Sequence, residues 1–481
     1  MMSVEDKLES AETRPPHVLI FPAPGQGHVN TILSLAELLA LSDFQVTFLI
    51  TPHIHNRLRR FAGDIEARHP NLTFETFGHG VLQNPALFGH NLKELAEQTK
   101  SQGKLKLREL CSEHSGKPKV GCIIVDALLG QVDSELGDEL GIPIIHFRTA
   151  SACSFWAYFN VPKLLQCNEL PIKGEEDMDR EITRIPGMEN LVRCRDLPAL
   201  CRGERKGTLS LDTLVYLALH SQQAKAVLMN TFEDLEGPVL SQLRRHFPSL
   251  YTLGPLHVLL NSKKASKTAA AAASGREEEK DRTCMRWLDA QPPKSVIYVS
   301  FGSVAVYTRA QLMEIWHGLM NSKKPFLWVI RHDLVAEPDG DQGLPAELQE
   351  GANERACIVE WAPQQEVLEH AAVGGFMTHS GWNSTLESMV AGVPMICWPL
   401  FGDQPTNSRY VSEVWKIGLD MKDTCDRKIV EKMVNDLMVE RRQEFEKSAE
   451  ALAALARKSA GEGGPSYSNF HRFIEYLKSI C

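Results

Sequence analysis

The sequence predicts an α/β protein with two doubly wound, Rossmann-like domains that face each other across a cleft. Two observations support this fold class: short apolar runs alternate with amphipathic helical segments, and a second round of the alternation begins after residue 282. Apolar runs bounded by glycine or proline are typical of strands buried in a parallel sheet. With 481 residues, the chain is long enough for two large domains.

The first round predicts an N-terminal domain over residues 1–256. The strand HVLIFP is followed by a turn with Gly25 and Gly27, the helix TILSLAELLALS and the strand QVTFLIT. Five further strands follow in chain order: LTFETF, VGCIIVD, GIPIIHFRT, AKAVLMNTF and LYTLGPL. Residues 166–207 are irregular and rich in proline and charge, which is typical of a variable lid over a pocket.

The low-complexity residues 257–282 are interpreted as a linker or surface loop. The second round predicts a C-terminal domain over residues 283–465, with the strands SVIYVSFGSVAV, PFLWVIR, ACIVEW, GGFMTH and VPMICWP followed by helical segments. The final helix, residues 466–481, has apolar side chains on one face. We expect this helix to dock back on the N-terminal domain.

The composition excludes several classes of function. The net charge is −9 and no basic stripe stands out, so nucleic acid is not an expected partner. The eleven cysteines are scattered without a CxxC pair or zinc spacing, which predicts reduced thiols and no metal site. The N-terminus lacks the apolar region of a secretory signal, and no apolar run is long enough to cross a membrane. We expect a cytoplasmic protein without membrane insertion, and a monomer.

His28 and Asp126 are candidates for a catalytic pair. Each follows or ends a predicted parallel strand, and the carboxyl ends of parallel strands meet at the sheet edge where such folds bind ligands. A carboxylate that accepts a hydrogen bond from one imidazole nitrogen leaves the other nitrogen available as a base. The alternatives are a solvated surface histidine and an aspartate that caps a helix.

An anion site is predicted around HSGWNSTLES. Gly381, Asn383 and Ser384 open a predicted helix, whose N-terminus favours negative charge, and His379 stands nearby. Such a helix end could hold a diphosphate without a metal. Ser384 and Glu387 also have the spacing of a capping box, which is the alternative explanation for these two residues.

Two further positions suggest a ligand with a ring and hydroxyl groups. Trp361 follows a strand and precedes a proline turn, so that it either offers a flat face to a base or packs in the core. Asp403 and Gln404 supply a carboxylate and an amide, the pair that hydroxyl-rich ligands require.

The 44 residues from Trp361 to Gln404 resemble the plant secondary-product signature of the family 1 UDP-dependent glycosyltransferases. WAPQ, HSGWNSTLES, GVP and the closing DQ carry the match, and FPAPGQGHVN, CIIVDALLG and VIYVSFGS extend it over nearly the whole chain. The resemblance implies the GT-B fold, with the acceptor bound by the N-terminal domain and the nucleotide sugar by the C-terminal one. FRTASACSFWAYF, RDLPALCR and NTFEDLEGPVLSQLRRH are similar to a plant subgroup that includes iridoid glucosyltransferases acting on 7-deoxyloganetic acid.

The resemblance also implies a role for each matched residue. Trp361 stacks on uracil, while Gln364 and Glu387 hold the ribose hydroxyls. The implied diphosphate ligands are His379, Asn383, Ser384 and Ser303, and the implied sugar contacts are Trp382, Asp403 and Gln404. Ala362 and Gly381, within the same motifs, complete the donor-binding set. His28 matches the catalytic base and Asp126 its carboxylate partner. Thr31 is a departure, since many relatives have proline there, and its presence is expected to loosen a helix start slightly.

We therefore predict inverting transfer of glucose from UDP-glucose, as donor substrate and without a cofactor, to a small apolar plant metabolite. The acceptor hydroxyl or carboxyl belongs to an iridoid, a terpenoid or a phenolic, and the product is a β-glucoside. Phe155, Trp156, Phe159 and residues 197–201 either line the acceptor site or belong to the core. Two alternatives are a nicotinamide-dependent oxidoreductase, which Asn30 in the third glycine position disfavours, and a sugar-nucleotide-binding protein without catalysis.

Overall fold

The computed structural model describes residues 15–79, 92–112, 118–130, 133–202, 210–270, 282–303, 307–331, 335–336, 345, 348 and 355–481. Within them lie two large parallel sheets connected by helices, which confirms the predicted class of two doubly wound domains. The boundaries proposed for the domains remain a prediction.

The N-terminal sheet has seven parallel strands in the order β3-β2-β1-β4-β5-β6-β7. These strands are β1 (His17–Phe21), β2 (Gln45–Ile50), β3 (Leu72–Thr76), β4 (Cys122–Asp126), β5 (Ile144–Arg148), β6 (Ala226–Met229) and β7 (Leu250–Thr252). Successive residues of β1 alternate between two apolar clusters, with Val18 and Ile20 in one and Leu19 and Phe21 in the other. Both faces of the sheet are therefore covered, as the continuous apolar runs predict.

The helices of this half connect its parallel strands. They are α1 (Gln26–Ala40), α2 (Pro52–Ala62), α3 (Ile65–Arg68), α4 (Leu92–Cys111), α5 (Asp133–Leu140), α6 (Ala152–Phe159), α7 (Val161–Gln166), α8 (Leu211–His220), α9 (Glu233–Leu243) and α10 (Leu256–Ala270). Because α1 begins at Gln26, Thr31 is its sixth residue and lies inside the helix. The expected loosening of a helix start at Thr31 is therefore wrong.

The C-terminal sheet has six parallel strands in the order β12-β10-β8-β13-β14-β15, and β9 and β11 form a separate parallel pair. The strands are β8 (Val296–Ser300), β9 (Tyr307–Thr308), β10 (Phe326–Val329), β11 (Val335–Ala336), β12 (Ala356–Val359), β13 (Val373–Thr378), β14 (Met395–Cys397) and β15 (Gly418–Asp420). The helices are α11 (Thr283–Asp289), α12 (Arg309–Asn321), α13 (Gln364–Glu369), α14 (Trp382–Ala391), α15 (Gln404–Arg409), α16 (Arg427–Asn435), α17 (Arg442–Ala460) and α18 (Pro465–Ile480).

The predicted linker, residues 257–282, is wrong over its first half. Residues up to Ala270 continue α10, and Leu256, Leu259 and Leu260 are buried in the same cluster as the apolar face of α1. Burial of these side chains holds the segment as a helix despite its alanine- and lysine-rich sequence. Residues 271–281 lie outside the described part of the chain.

The final helix, α18, packs against the N-terminal sheet. Its buried side chains Phe470, Phe473, Ile474 and Leu477 belong to the cluster that covers β1 and β2. The chain thus returns from the C-terminal sheet and ends on the other half of the molecule.

The two halves are hydrogen-bonded to each other at several points. Trp382 Nε1 donates to the carbonyl oxygen of Asn230 at 2.8 Å, and Trp415 Nε1 donates to that of Leu235 at 3.2 Å. Ser151 Oγ donates to Asn407 Oδ1 at 2.7 Å. The cleft is therefore closed along one side by polar contacts that a separation of the halves would break.

An ionic cluster also joins the halves through the segment predicted as a lid. We call it the 193–202 cluster; it pairs Arg195, Asp196 and Arg202 with Lys422 and Asp423. Asp196 is fully buried and contacts Lys422 Nζ of the C-terminal half. Asp423 accepts from Arg195 Nη1 at 3.1 Å and from Arg202 Nη1 at 2.9 Å. Burial opposes the charge of Asp196, but its hydrogen bonds and the nearby cations outweigh that effect and lower its pKa. Asp196 thus stays ionised and paired.

Candidate active site

His28 and Asp126 are in contact at the carboxyl edge of the N-terminal sheet, as the sequence predicts. Strands β1 and β4 are neighbours, so the residues that follow or end them are brought together. His28 Nδ1 lies 2.6 Å from Asp126 Oδ2, and Thr149 Oγ1 lies 2.9 Å from the same nitrogen. Since Nδ1 carries one hydrogen, the shorter contact assigns it to the carboxylate. His28 Nε2 has no partner among the described residues and retains its lone pair.

The charge balance of this pair favours a basic imidazole. Burial alone would lower the pKa of His28, but the Asp126 carboxylate outweighs it and raises the pKa above the ordinary 6.5. Asp126 is only 1% exposed; burial opposes its charge, yet His28 and the backbone N–H groups of Leu128 and Ala23 lower its pKa. Asp126 also caps the short 3₁₀ turn Ala127–Leu129, so the capping explanation holds and the catalytic role stays a prediction.

The N-terminus of α14 presents unpaired backbone N–H groups to the cleft side of the C-terminal sheet. Thr385 N is the first in this helix to bond to the preceding turn, at 3.0 Å from Gly381 O. The N–H groups of Trp382, Asn383 and Ser384 precede it and have no intrahelical acceptor. The capping-box explanation of Ser384 is wrong, because Gly381 is the N-cap and Ser384 lies inside the helix.

Two glycines leave room for the ring of His379 beside this helix end. A Cβ on Gly302 would lie 2.7 Å from His379 Nε2, and one on Gly381 would also overlap that nitrogen. Ser303 directly follows Gly302 in the loop after β8, and its carbonyl oxygen accepts from Arg331 Nη1 at 3.1 Å. Burial lowers the pKa of His379 to about 4, so that the ring is neutral at pH 7.

Gln364 and Glu387 are hydrogen-bonded to each other between α13 and α14. Gln364 Nε2 donates to Glu387 Oε2 at 2.6 Å and to Ser384 Oγ at 3.0 Å, and Gln365 Nε2 donates to Glu387 Oε1 at 3.0 Å. Burial raises the pKa of Glu387, and the hydrogen bonds from the amides of Gln365 and Gln364 offset part of this rise. Trp361 is partly exposed and Ala362 buried in the preceding loop, next to this pair in the chain.

Asp403 faces His28 from the opposite half, close enough for its charge to raise the pKa of His28. Burial raises the pKa of Asp403 itself, while Asn407 Nδ2 donates to its Oδ2 at 2.8 Å. Gln404 Oε1 accepts from the N–H groups of Leu400 and Phe401 at 2.8 and 3.0 Å. The amide oxygen of Gln404 therefore holds its own loop, and its Nε2 has no partner among the described residues.

The indole of Trp382 is not available to a sugar. It is 3% exposed, its Nε1 is bonded to Asn230 and its ring packs beside that of Trp415. The prediction of a sugar contact is therefore restricted to the backbone N–H of Trp382.

Sequence reasoning missed Thr149 and Asn407. Thr149 directly follows β5, the neighbour of β4, so the rule that located Asp126 could have found it. Asn407 lies one helical turn after Asp403 and also donates to Ser380 O at 2.9 Å, a contact between segments that no local pattern indicates.

The aromatic residues considered for the acceptor site mostly belong to the core. Phe155 and Trp156 are 1% and 2% exposed and share a cluster with Leu197 and Cys201. Phe159 is only partly buried but stacks on Trp156, with ring centroids 5.3 Å apart. The core explanation therefore holds for Phe155 and Trp156.

In the part of the chain that the structure describes, no three His, Cys, Asp or Glu side chains form a group that could hold a metal ion. Among the same residues, no helix has the length and apolar character needed to cross a membrane.

Comparison with known proteins gives consistent matches. The family described as "UDP-glucoronosyl and UDP-glucosyl transferase" matches residues 207–442. A 7-deoxyloganetic acid glucosyl transferase of Catharanthus roseus is 48% identical over 98% of this chain and 100% of its own length. A myricetin 3-O-rhamnoside 1,2-glucosyltransferase of Crocosmia x crocosmiiflora is 41% identical over 96% of each chain.

A solved structure shares the fold. The Medicago truncatula protein UGT71G1, crystallised with UDP-glucose, is 25% identical with a TM-score of 0.76, and the match covers 97% of this chain and 99% of that one. The two sheets, their strand orders and this likeness agree with the GT-B architecture implied by the sequence.

Proposed function

Because the chain belongs to the family of UDP-glucuronosyl and UDP-glucosyl transferases, we propose that His28 and the α14 region act together in inverting transfer of glucose from UDP-glucose. The protein is a UDP-glucosyltransferase; the roles of individual residues and the acceptor are our proposals. The observation that carries them is the contact of 2.6 Å between His28 Nδ1 and Asp126 Oδ2, with Asp403 of the other half near enough for its charge to raise the pKa of His28.

The reaction is a single displacement at the anomeric carbon. His28 Nε2 takes the proton of an acceptor hydroxyl while that oxygen forms a bond to the anomeric carbon. The bond between this carbon and the diphosphate oxygen breaks, and UDP leaves with the bonding electrons. Asp126 holds the proton on Nδ1 and stabilises the imidazolium that forms.

The donor is held by the residues around α14. We assign the diphosphate to the N–H groups at the start of α14, with His379 as a neutral N–H donor and Ser303 beside it. Trp361, with Ala362 beside it, stacks on uracil, Gln364 and Glu387 bind the ribose hydroxyls, and Asp403 and Gln404 contact the sugar. Gly381 leaves room for His379.

No metal is needed in this scheme, because the helix N-terminus and neutral donors stabilise the charge on the departing UDP. We therefore expect activity to be unchanged after dialysis against EDTA. The measurement is the initial rate of UDP release before and after treatment. A loss of rate that Mg²⁺ or Mn²⁺ restores would contradict the assignment.

For the acceptor we propose an iridoid with a carboxyl group, of the 7-deoxyloganetic acid type. This rests on the relative that is 48% identical over its whole length and bears that name. The relative at 41% identity is named for a different acceptor, so acceptor choice changes within this range of similarity.

The acceptor proposal predicts a rank order of acceptors by kcat/KM. With UDP-glucose fixed, kcat/KM is expected to be highest for an iridoid acid, and lower for terpenoid alcohols and phenolics of similar size. Mass spectrometry of a competition mixture measures the products, and mild alkali distinguishes glucose esters from glucosides of hydroxyl groups because only esters are cleaved. Preferential glucosylation of a terpenoid alcohol or a phenolic would overturn the acceptor assignment.

We also propose that the protein works as a cytoplasmic monomer. The eleven cysteines, all within the described residues, form no disulfide, as is usual in a reducing compartment. Size-exclusion chromatography with light scattering would test the monomer.

Neither alternative function gains support. Asn30 is an exposed residue of α1, and the family assignment contradicts an oxidoreductase. A binding protein without catalysis would release no UDP from UDP-glucose with any acceptor in the panel.

A further inference from the structure

The side chain of Asn383 links the two halves of the protein directly beside His28. Asn383 Nδ2 donates to the carbonyl oxygen of Gly27 at 2.6 Å. Thr31 Oγ1 lies 2.6 Å from Asn383 Oδ1. Gly27 and Thr31 belong to the first two turns of α1, and Asn383 is the second residue of α14. One carboxamide therefore bridges the helix of the catalytic candidate and the helix proposed to hold the diphosphate.

The chemistry of the groups fixes the direction of both hydrogen bonds. A carbonyl oxygen only accepts, so the amide nitrogen of Asn383 must face Gly27 and its oxygen must face Thr31. Thr31 has one hydroxyl hydrogen and two nearby acceptors, Asn383 Oδ1 at 2.6 Å and Gly27 O at 2.9 Å. Gly27 O already accepts from the amide, whereas Oδ1 has no other donor among the described residues. The hydroxyl hydrogen is thus assigned to Asn383.

His28 lies between the two anchor points. Gly27 directly precedes it in α1, and Thr31 follows it by three residues, which places Thr31 on the same side of the helix as His28. With Gly27 and Thr31 held by Asn383, the first turns of α1 cannot rotate or shift without breaking one of the bonds. The position of His28 Nε2 relative to α14 then depends on this bridge.

We propose that Thr31 is a positioning residue for glucosyl transfer: through Asn383 it sets the position of His28 relative to the donor-binding helix. The proposal rests on the proposed function of His28 and α14. It also changes the role assigned to Asn383, since both polar groups of its side chain are engaged by α1. Asn383 links the donor site to the base in addition to any contact with phosphate.

The bridge is separate from the contacts that keep the halves together. Trp382 and Asn230, and Ser151 and Asn407, are bonded independently of Thr31. Valine has nearly the shape of threonine, and Thr31 is only 5% exposed, so Thr31→Val removes the hydroxyl without opening a cavity and leaves Asn383 Oδ1 without this donor. The expected consequence is misplacement of His28 in a protein that is folded and closed.

Steady-state kinetics with UDP-glucose and an alcohol acceptor test the proposal. Thr31→Val is expected to lower kcat by about 10-fold, because small displacements of reacting groups have large effects on rate. The KM for UDP-glucose and the affinity for UDP are expected to change less than about 3-fold, since the hydroxyl does not contact the donor in this scheme. Thr31→Ser, which keeps the hydroxyl, is expected to restore kcat.

Ser34→Ala is the matched control. Ser34 is in the same helix, and its hydroxyl donates to Asn30 O at 3.1 Å, but among the described residues it has no hydrogen bond across the cleft. This variant is expected to keep the wild-type kcat. A wild-type kcat in Thr31→Val, or a loss confined to KM, would overturn the positioning role.

Hydrogen exchange in the first turns of α1 tests the bridge without turnover. Faster exchange in Thr31→Val, but not in Ser34→Ala, is expected if the bridge restrains this turn. Unchanged exchange would overturn the bridge whatever the kinetics show. If the wild-type protein transferred glucose to no acceptor, the proposed function would fail, while the exchange comparison would still decide whether the bridge exists.

Discussion

Replacement of His28 by alanine is expected to slow glucosyl transfer to an alcohol acceptor by about 10²–10⁴-fold, the usual contribution of a general base. An alcohol must lose its proton as it attacks, and Nε2 of His28 is the group placed to take it. A carboxylic acceptor is already ionised at neutral pH, and its transfer is expected to fall much less. The measurement is kcat of wild type and variant with an alcohol acceptor and with a carboxylic acceptor of similar structure.

Binding of UDP serves as the control for this variant. Calorimetry is expected to give nearly wild-type affinity in His28→Ala, because the nucleotide is assigned to the other half of the protein. Full turnover of the alcohol by the variant would refute the role of His28 as base.

The same assignment predicts a difference in pH dependence. The base must be neutral, and Asp126 raises the pKa of His28 above the ordinary 6.5. On acidification the rate with an alcohol is therefore expected to fall from a pH above 6.5 downward, since protonated His28 cannot accept a proton. With a carboxylic acceptor the profile of kcat/KM is expected to be flat across this range.

Replacement of Gly381 by alanine is expected to lower kcat/KM for UDP-glucose by about 100-fold. The backbone of Gly381 has φ −59°, which alanine adopts without strain, so the effect is purely steric. The added Cβ would overlap Nε2 of His379, a buried ring that must then leave its place beside the α14 N-terminus. The measurement is the initial rate at varied UDP-glucose, with UDP affinity by calorimetry.

Gly237→Ala is the control for this substitution. A Cβ on Gly237, in α9, would meet no atom within 4 Å, and the variant is expected to behave as wild type. Equal kinetics of the two variants would mean that His379 does not contribute to the donor site. Thermal unfolding of both proteins checks that the comparison concerns folded enzymes.

The fold was predictable because buried parallel strands leave a strong local pattern. All seven strands of the N-terminal sheet were expected in order: most are largely apolar runs, and β3, LTFET, alternates apolar and polar residues over its first four positions. Strand β15 was missed because Gly418–Asp420 is short and gains its pairing only from β14. The start of α10 was missed for a related reason: its helix depends on burial against α1, which the low-complexity sequence does not indicate.

The site was predictable where sheet topology determines it. His28 and Asp126 could be paired because neighbouring parallel strands end at one edge. Contacts between distant segments could not be predicted from spacing. Thr31 bonds to Asn383, more than 350 positions away, and nothing local to either residue indicates the partner.

The 193–202 cluster affects how this enzyme could be recombined with its relatives. Asp196, Arg195 and Arg202 come from the N-terminal half, but their partners Lys422 and Asp423 lie next to β15. A chimaera that exchanged only the N-terminal half would break the buried ion pair between Asp196 and Lys422, which is destabilising although Arg193 and Asp420 remain as partners within each half. A stable chimaera therefore needs two segments, distant in sequence, from the same parent protein: the segment around Asp196 and residues 420–423.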